Sequence, residues 1–222
     1  MNLDKKYKMM KYFSLFGIIG AIFYFMHIIF GRIIYVDYNP FAQAISDLTA
    51  INSPSRDIAL IFSFLYGVFT TIFSFTFFVY FKGKINKIIT FGSFIFCVMT
   101  IISFLGYTFF PLSEAGYAGT FQDIMHMVVT VLVVFTTSIS IILFGIGFIK
   151  TNNYKYLGII SLCTFVLLMA GAMLINVLSE NYFGIAQRIN AYSVVIYIGL
   201  LSVWMNKYMH KNCRGQTAHN KR

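Results

Sequence analysis

The sequence predicts an all-α membrane protein: a bundle of six transmembrane helices, both termini inside, with a short interfacial helix in the first outer loop. Three observations predict it. Of 222 residues, 59% are apolar and only 11% charged, less than half of the roughly 25% that covers a soluble domain. Six stretches, at 12–31, 58–81, 88–110, 124–149, 156–178 and 191–206, contain no Asp, Glu, Lys or Arg. The segments between them alternate in charge. This composition excludes a soluble globule and a disordered chain, and makes lipid the solvent for most of the protein.

At 1.5 Å per residue, about 20 residues cross the hydrocarbon. The first five stretches reach that length. The last is extended by Ile189 and Asn190 at one end, and Lys207 snorkels at the other. Residues 1–11 read as a basic cytoplasmic N-terminus, 12–206 as the transmembrane domain and 207–222 as a loose basic tail. The first helix carries signal-peptide features, but its apolar run is long and Ala42-Gln43-Ala44 lies well past it, so it is expected to remain.

Orientation follows from charge. Lys5, Lys6, Lys8 and Lys11, then Lys82, Lys84 and Lys87, then Lys150 and Lys155, then Lys207, Lys211, Arg214, Lys221 and Arg222 fall on one side, fourteen of the 17 basic residues. The other side holds Arg32, Arg56 and Arg188 and six of the seven acids: Asp37, Asp47, Asp57, Glu114, Asp123 and Glu180. Lys and Arg collect in the cytoplasm, so both termini are expected inside. The net charge of +10 reads as this bias plus contact with anionic lipid. Basic residues in short turns and tails make no nucleic-acid surface.

The outer connections, 32–57, 111–123 and 179–190, are the elaborated ones, and they hold Pro40, Pro54 and Pro111, all the prolines of the chain. Phe41, Ala44, Ile45 and Leu48 follow the spacing of a short amphipathic helix with Gln43, Ser46 and Asp47 on its polar edge. Ser53-Pro54 reads as an N-cap and first turn opening helix two. His27 and His126 fall about one turn inside the outer ends of helices one and four. Asp123 shares a face with His126, and Asn176 with Glu180. Ionisable groups at membrane depth usually face the bundle interior or a wet cavity, so Asp47, Asp123, His126, Arg188, Glu180 and His27 are expected to line an outward-facing polar cavity. Each also has a structural reading: Thr120-x-x-Asp123 is a capping-box pattern, a lone histidine is often just hydrogen-bonded, Glu180 and Arg32 anchor helix ends, and Arg188 pairs with an outer acid such as Asp47.

No Asp, Glu, Lys or Arg lies in the middle of a span and no proline interrupts one, which argues against a transporter. GxSxG, HExxH, Walker and paired CxxC motifs are missing. Cys97, Cys163 and Cys213 form no disulfide framework. His210, Cys213 and His219 match no metal spacing.

The outer features resemble a bacterial membrane family, domain of unknown function 998, and more remotely the six-helix Frag/DRAM/Sfk-type proteins. The resembling residues are Ser46-Asp47-Leu48, Phe110-Pro111, Asp123 with His126, and Gly184, Ile185 and Arg188, within a likeness running from about residue 13 to 206. An acidic residue often precedes that arginine in the family; here it is Gln187. The resemblance implies the architecture and the polar set rather than a reaction.

Two functions remain open on sequence alone. One is a non-catalytic membrane protein whose outer cavity binds a lipid headgroup or small polar ligand, or docks a partner, with Arg188 and Arg32 suited to phosphate or carboxylate. The other is a membrane-embedded hydrolase or transferase acting at the outer leaflet. There His126 is the base or metal ligand, Asp123, Asp47 and His27 assist, and Ser46 is the nucleophile; His126, Asp123 and His27 are the candidate Zn²⁺ ligands, since zinc takes three or four.

Overall fold

The computed structural model describes residues 3–219, and among these there are helices and turns but no strand. The helices are α1 (Leu3–Phe13), α2 (Phe16–Ile34), α3 (Arg56–Phe81), α4 (Lys87–Phe109), α5 (Phe121–Ile149), α6 (Lys155–Val177) and α7 (Phe183–His219). Six segments are long and apolar enough to cross a membrane, the first of them, Tyr7–Ile34, running through α1 and α2. This is an all-helical, multi-pass membrane protein. Each long helix packs on the next and α2 packs on α7, closing a ring with a lysine-rich end and an acidic end.

The ring is filled unequally. In its lysine-rich half, Phe73, Phe77, Phe81, Phe144, Phe148, Leu201, Met205 and Met209 are fully buried around Trp204. The indole stacks on Phe81 at 5.2 Å and meets Phe148 edge-on at 5.2 Å. Aromatic pairs in such geometries add to the area they bury. This half is dry and close-packed.

α1 and α2 are separated at Ser14-Leu15, which the sequence does not announce. In lipid a helix break is tolerated only where neighbours re-satisfy the freed backbone groups. α7 does this: Ser202 Oγ donates to Ser14 O (2.6 Å) and accepts from Ile18 N (3.1 Å). Asn206 Nδ2 donates to Lys11 O (3.1 Å) and Ser14 Oγ (2.9 Å).

Three local expectations change. The interfacial helix is a 3₁₀ turn, Ile45–Thr49, folded down over the ring. Its Asp47 is buried rather than on a polar edge, and Phe41 lies outside, exposed. The start of the second span slips to Arg56, because Ser55 is the N-cap residue and turns its hydroxyl back to Leu48 O (2.8 Å). The 207–222 tail is helical as far as His219. The side chains of Cys213 and His219, and residues 220–222 entirely, lie outside those described, so the His210, Cys213 and His219 set is not addressed.

Candidate functional site

Three connections meet at the acidic end. The first lies directly on the opening turn of α7. A Cβ on Gly184 would come within 2.5 Å of both Pro40 O and Gln43 O, so only glycine lets the two backbones approach this closely. Ile185 N donates to Phe41 O (3.2 Å) and Ile45 N to Gln187 Oε1 (2.6 Å). Gln187 thus serves as an acceptor. Arg188 Nη1 donates to Gln43 O (3.0 Å) and Gly184 O (2.9 Å), and Nη2 to the Tyr38 hydroxyl (2.5 Å). That hydroxyl donates onward to Ala44 O (2.7 Å). Burial pushes the Tyr38 hydroxyl up to about 12 despite the nearby guanidinium. Arg188 and Asp47 form no ion pair; among the described residues the one ion pair is Arg56–Asp57 at 3.8 Å.

The two buried carboxylates hold one loop from two sides. Asp47 Oδ2 accepts from Ala44 N (3.0 Å) in its own turn, and Oδ1 accepts from Gly116 N (3.2 Å) in the 113–120 loop. Burial pushes the Asp47 carboxyl upward, opposed by these two N–H groups and by Arg188. Asp123 closes the capping box with Thr120. Its oxygens also take the Ser113 N–H (2.7 Å) and hydroxyl (2.8 Å) and the Ala118 N–H (3.1 Å). Positive φ at Gly116, Tyr117 and Gly119 (88°, 70° and 77°) turns the backbone so that its N–H groups converge on the anions. The structural reading of Asp123 is therefore fully realised.

Beneath the loops lies a polar aromatic layer. His126 Nδ1 is 2.8 Å from Phe110 O. A carbonyl only accepts, so Nδ1 carries the proton and Nε2 keeps its lone pair. Its ring centroid is 4.9 Å from that of Tyr107, whose hydroxyl donates to Thr130 Oγ1 (3.1 Å). His27 is 4% exposed and neither ring nitrogen has a hydrogen-bond partner; the other sealed, unpartnered side-chain atoms among the described residues are Arg56 Nε and Thr71 Oγ1. Tyr24 stands beside His27 (6.0 Å between ring centroids) and against Tyr66 of α3 (4.9 Å).

Phe25, next to Tyr24 on α2, meets Tyr192 of α7 with ring centroids 5.3 Å apart. The Tyr24, Tyr66 and Tyr192 hydroxyls have no hydrogen-bond partner among the described residues, yet they are not sealed off as the His27 nitrogens are.

The sequence profile described as "Protein of unknown function (DUF998)" matches residues 18–204. The chain belongs to this family. No curated protein and no solved structure matches it. The DUF998 match spans the whole polar set, from His27 to Arg188, and both loops that cover it.

Within this DUF998 chain the expected site residues divide. Asp47 and Arg188 belong to one clasp, Asp123 organises the adjoining loop, and below them His126 lies against Tyr107 and His27 beside Tyr24, which stands on Tyr66. Glu180 is exposed in the 180–182 turn, apart from the rest, and Arg32 and Asn176 are also exposed. Ser46 is half-buried, and its hydroxyl makes no hydrogen bond to His126, Asp47 or Asp123. Among the described residues no group of three His, Cys, Asp or Glu side chains is placed to hold a metal ion.

Sequence reasoning missed Tyr38, Gln187 and the layer of Tyr24, Tyr66, Tyr107 and Tyr192. The signal for the layer was available: Gly17, Gly20, Tyr24, His27 and Gly31 recur at helical spacing along one stripe of α2.

Proposed function

We propose that this DUF998 protein is a binding protein of the bacterial cell membrane, with both termini cytoplasmic, whose outer half is a chamber for the headgroup of a lipid or a small polar molecule. The observation that carries this reading is His27, buried at membrane depth with two unpartnered ring nitrogens. A buried polar group without a partner costs about 1–3 kcal/mol, and an occupant bearing hydroxyl or phosphate oxygens removes that cost. The unpartnered tyrosine hydroxyls beside it supply further donors, and the clasp of Arg188, Tyr38 and Asp47 supplies a roof. The lysine asymmetry of the turns supports the orientation.

A catalytic role for His126 has less support. Its free Nε2 suits a base, but Ser46 is not hydrogen-bonded to it, and His126, Asp123 and His27 do not gather as zinc ligands. Transport has less support still, because the dry core of Phe77, Phe81 and Trp204 fills the other half of the ring.

Native mass spectrometry of detergent-purified protein tests the chamber, with phosphatidylethanolamine, phosphatidylglycerol and glycerol phosphate as probes. The wild type is expected to retain one of them, and a Tyr24→Phe, Tyr66→Phe, His27→Leu variant of unchanged helicity to bind it at least tenfold more weakly. Equal binding by the two proteins refutes the chamber.

A further inference from the structure

Nothing in the outer chamber explains a second feature, at the opposite end of the bundle. The end of α3 and the start of α4 flank a shallow, open groove of about 430 Å³ on the outer surface of the hairpin. Its rim is basic and its walls are aromatic. Lys82 and Lys87 are exposed at the rim and pair with no carboxylate among the described residues. Lys82 Nζ stands 5.8 Å from the Phe78 ring, and Phe91 and Phe94, about half exposed on α4, continue the wall away from the rim. The floor of the turn is open: a Cβ on Gly83 would meet nothing within 4 Å.

We propose that this groove is a specific site for one anionic phospholipid. The phosphate sits between the Lys82 and Lys87 ammonium groups, and an acyl chain lies along Phe78, Phe91 and Phe94. Charge complementarity selects this occupant. Two unpaired cations at the end of an apolar wall need an anion that carries its own hydrocarbon. A soluble phosphate satisfies the rim but leaves the aromatic wall to bulk lipid, and a zwitterionic lipid brings its own cation to two others. The positive end of α4 adds to the attraction. A lysine near a membrane surface contributes roughly fivefold in affinity for anionic lipid, and two of them about thirtyfold.

The full-length protein in detergent is titrated with phosphatidylglycerol, phosphatidylcholine and inorganic phosphate, and bound lipid is counted by native mass spectrometry. Counted in the Tyr24→Phe, Tyr66→Phe, His27→Leu protein, so that the chamber adds none, the expected result is one tight phosphatidylglycerol, weakened by about thirtyfold on adding Lys82→Gln and Lys87→Gln. The same pair of changes at the basic surface of α7, Lys207→Gln, Lys211→Gln, should leave it unchanged. Phe94→Ser should weaken the lipid without altering the response to phosphate. Equal losses from the α3–α4 and α7 variants overturn the site, because the attraction is then general. Displacement of the lipid by millimolar phosphate, or equal binding of phosphatidylcholine, overturns it too. Because these lysines lie at the end remote from His27, failure here leaves the outer chamber standing, and loss of the chamber leaves this site testable.

Discussion

Removing one oxygen atom tests the outer clasp with little change of shape. In Tyr38→Phe the ring stays, 4% exposed in the wild type, but its hydroxyl no longer accepts from Arg188 Nη2 or donates to Ala44 O. A hydrogen bond to a charged group contributes about 1.5–3 kcal/mol and a neutral one about 0.5–1.5. Arg188 is only half-buried and regains some water, so the net loss should be about 2–3 kcal/mol. For a chain of this length that corresponds to a fall in Tm of about 4–12 °C, read by thermal unfolding in detergent. Tyr35→Phe is the control. Its ring centroid lies 5.8 Å from that of Tyr38, its hydroxyl makes no bond, and stability should stay within about 0.5 kcal/mol. Combining Tyr38→Phe with Arg188→Met should cost clearly less than the sum of the two single changes, since both remove the same bond. A loss below about 1 kcal/mol for Tyr38→Phe, or strict additivity with Arg188→Met, refutes the clasp as drawn.

Three further outcomes follow from the same geometry. Gly184→Ala gains helix propensity but forces a methyl against two backbone oxygens that cannot swing away, so a net loss of about 1–3 kcal/mol is expected, with faster proteolysis of the 35–55 loop; unchanged Tm and cleavage refute the close approach. Asp47 has its carboxyl raised above its ordinary 3.8, so its contribution to stability is complete below that value and is lost as pH rises through the folded-state value. Tm of the wild type relative to Asp47→Asn should therefore fall as pH increases from about 4, and a rising difference refutes the sign. Ser202→Ala leaves Ser14 O and Ile18 N without their partner inside the bundle, a loss of about 1–3 kcal/mol; a neutral result means the helix break finds another partner.

The spans were legible because hydropathy is an average over many residues, and lipid demands it of each crossing. Their ends were less so. Helix α3 begins at Arg56 rather than at Pro54 because Ser55 uses its hydroxyl on Leu48 O, a partner seven residues back that no cap pattern includes. Thr120 and Asp123 were read correctly as a capping box, since both halves of that motif lie within four residues. Asp47 was placed on the wrong face because the periodicity assumed an α-helix and the turn is 3₁₀, which rotates successive side chains differently. The Ser14 break was illegible: its remedy, Ser202 and Asn206, stands almost two hundred residues away. The tyrosine layer escaped notice because a tyrosine in an apolar span usually reads as an interfacial anchor, and only the ring of helices turns these four inward.

The last helix closes this ring, and the manner of its closure bears on the outer chamber. Between helices already in lipid there is little hydrophobic drive to associate, so packing and hydrogen bonds must hold them. α7 meets the first span through Ser202 and Asn206 at the lysine-rich end, and meets the loop that follows α2 through Gln187 and Arg188 at the acidic end. Between these two staples the seam is packed by small and aromatic residues: a Cβ on Gly199 would stand 3.7 Å from Ala21 Cβ, and Phe25 meets Tyr192 at 5.3 Å. Among the described residues the hydrogen bonds of this seam lie at its two ends. For the proposed chamber, the α2–α7 seam is the expected entrance from the bilayer, whereas entry from above requires the buried Asp47 and Asp123 to release the 113–120 loop.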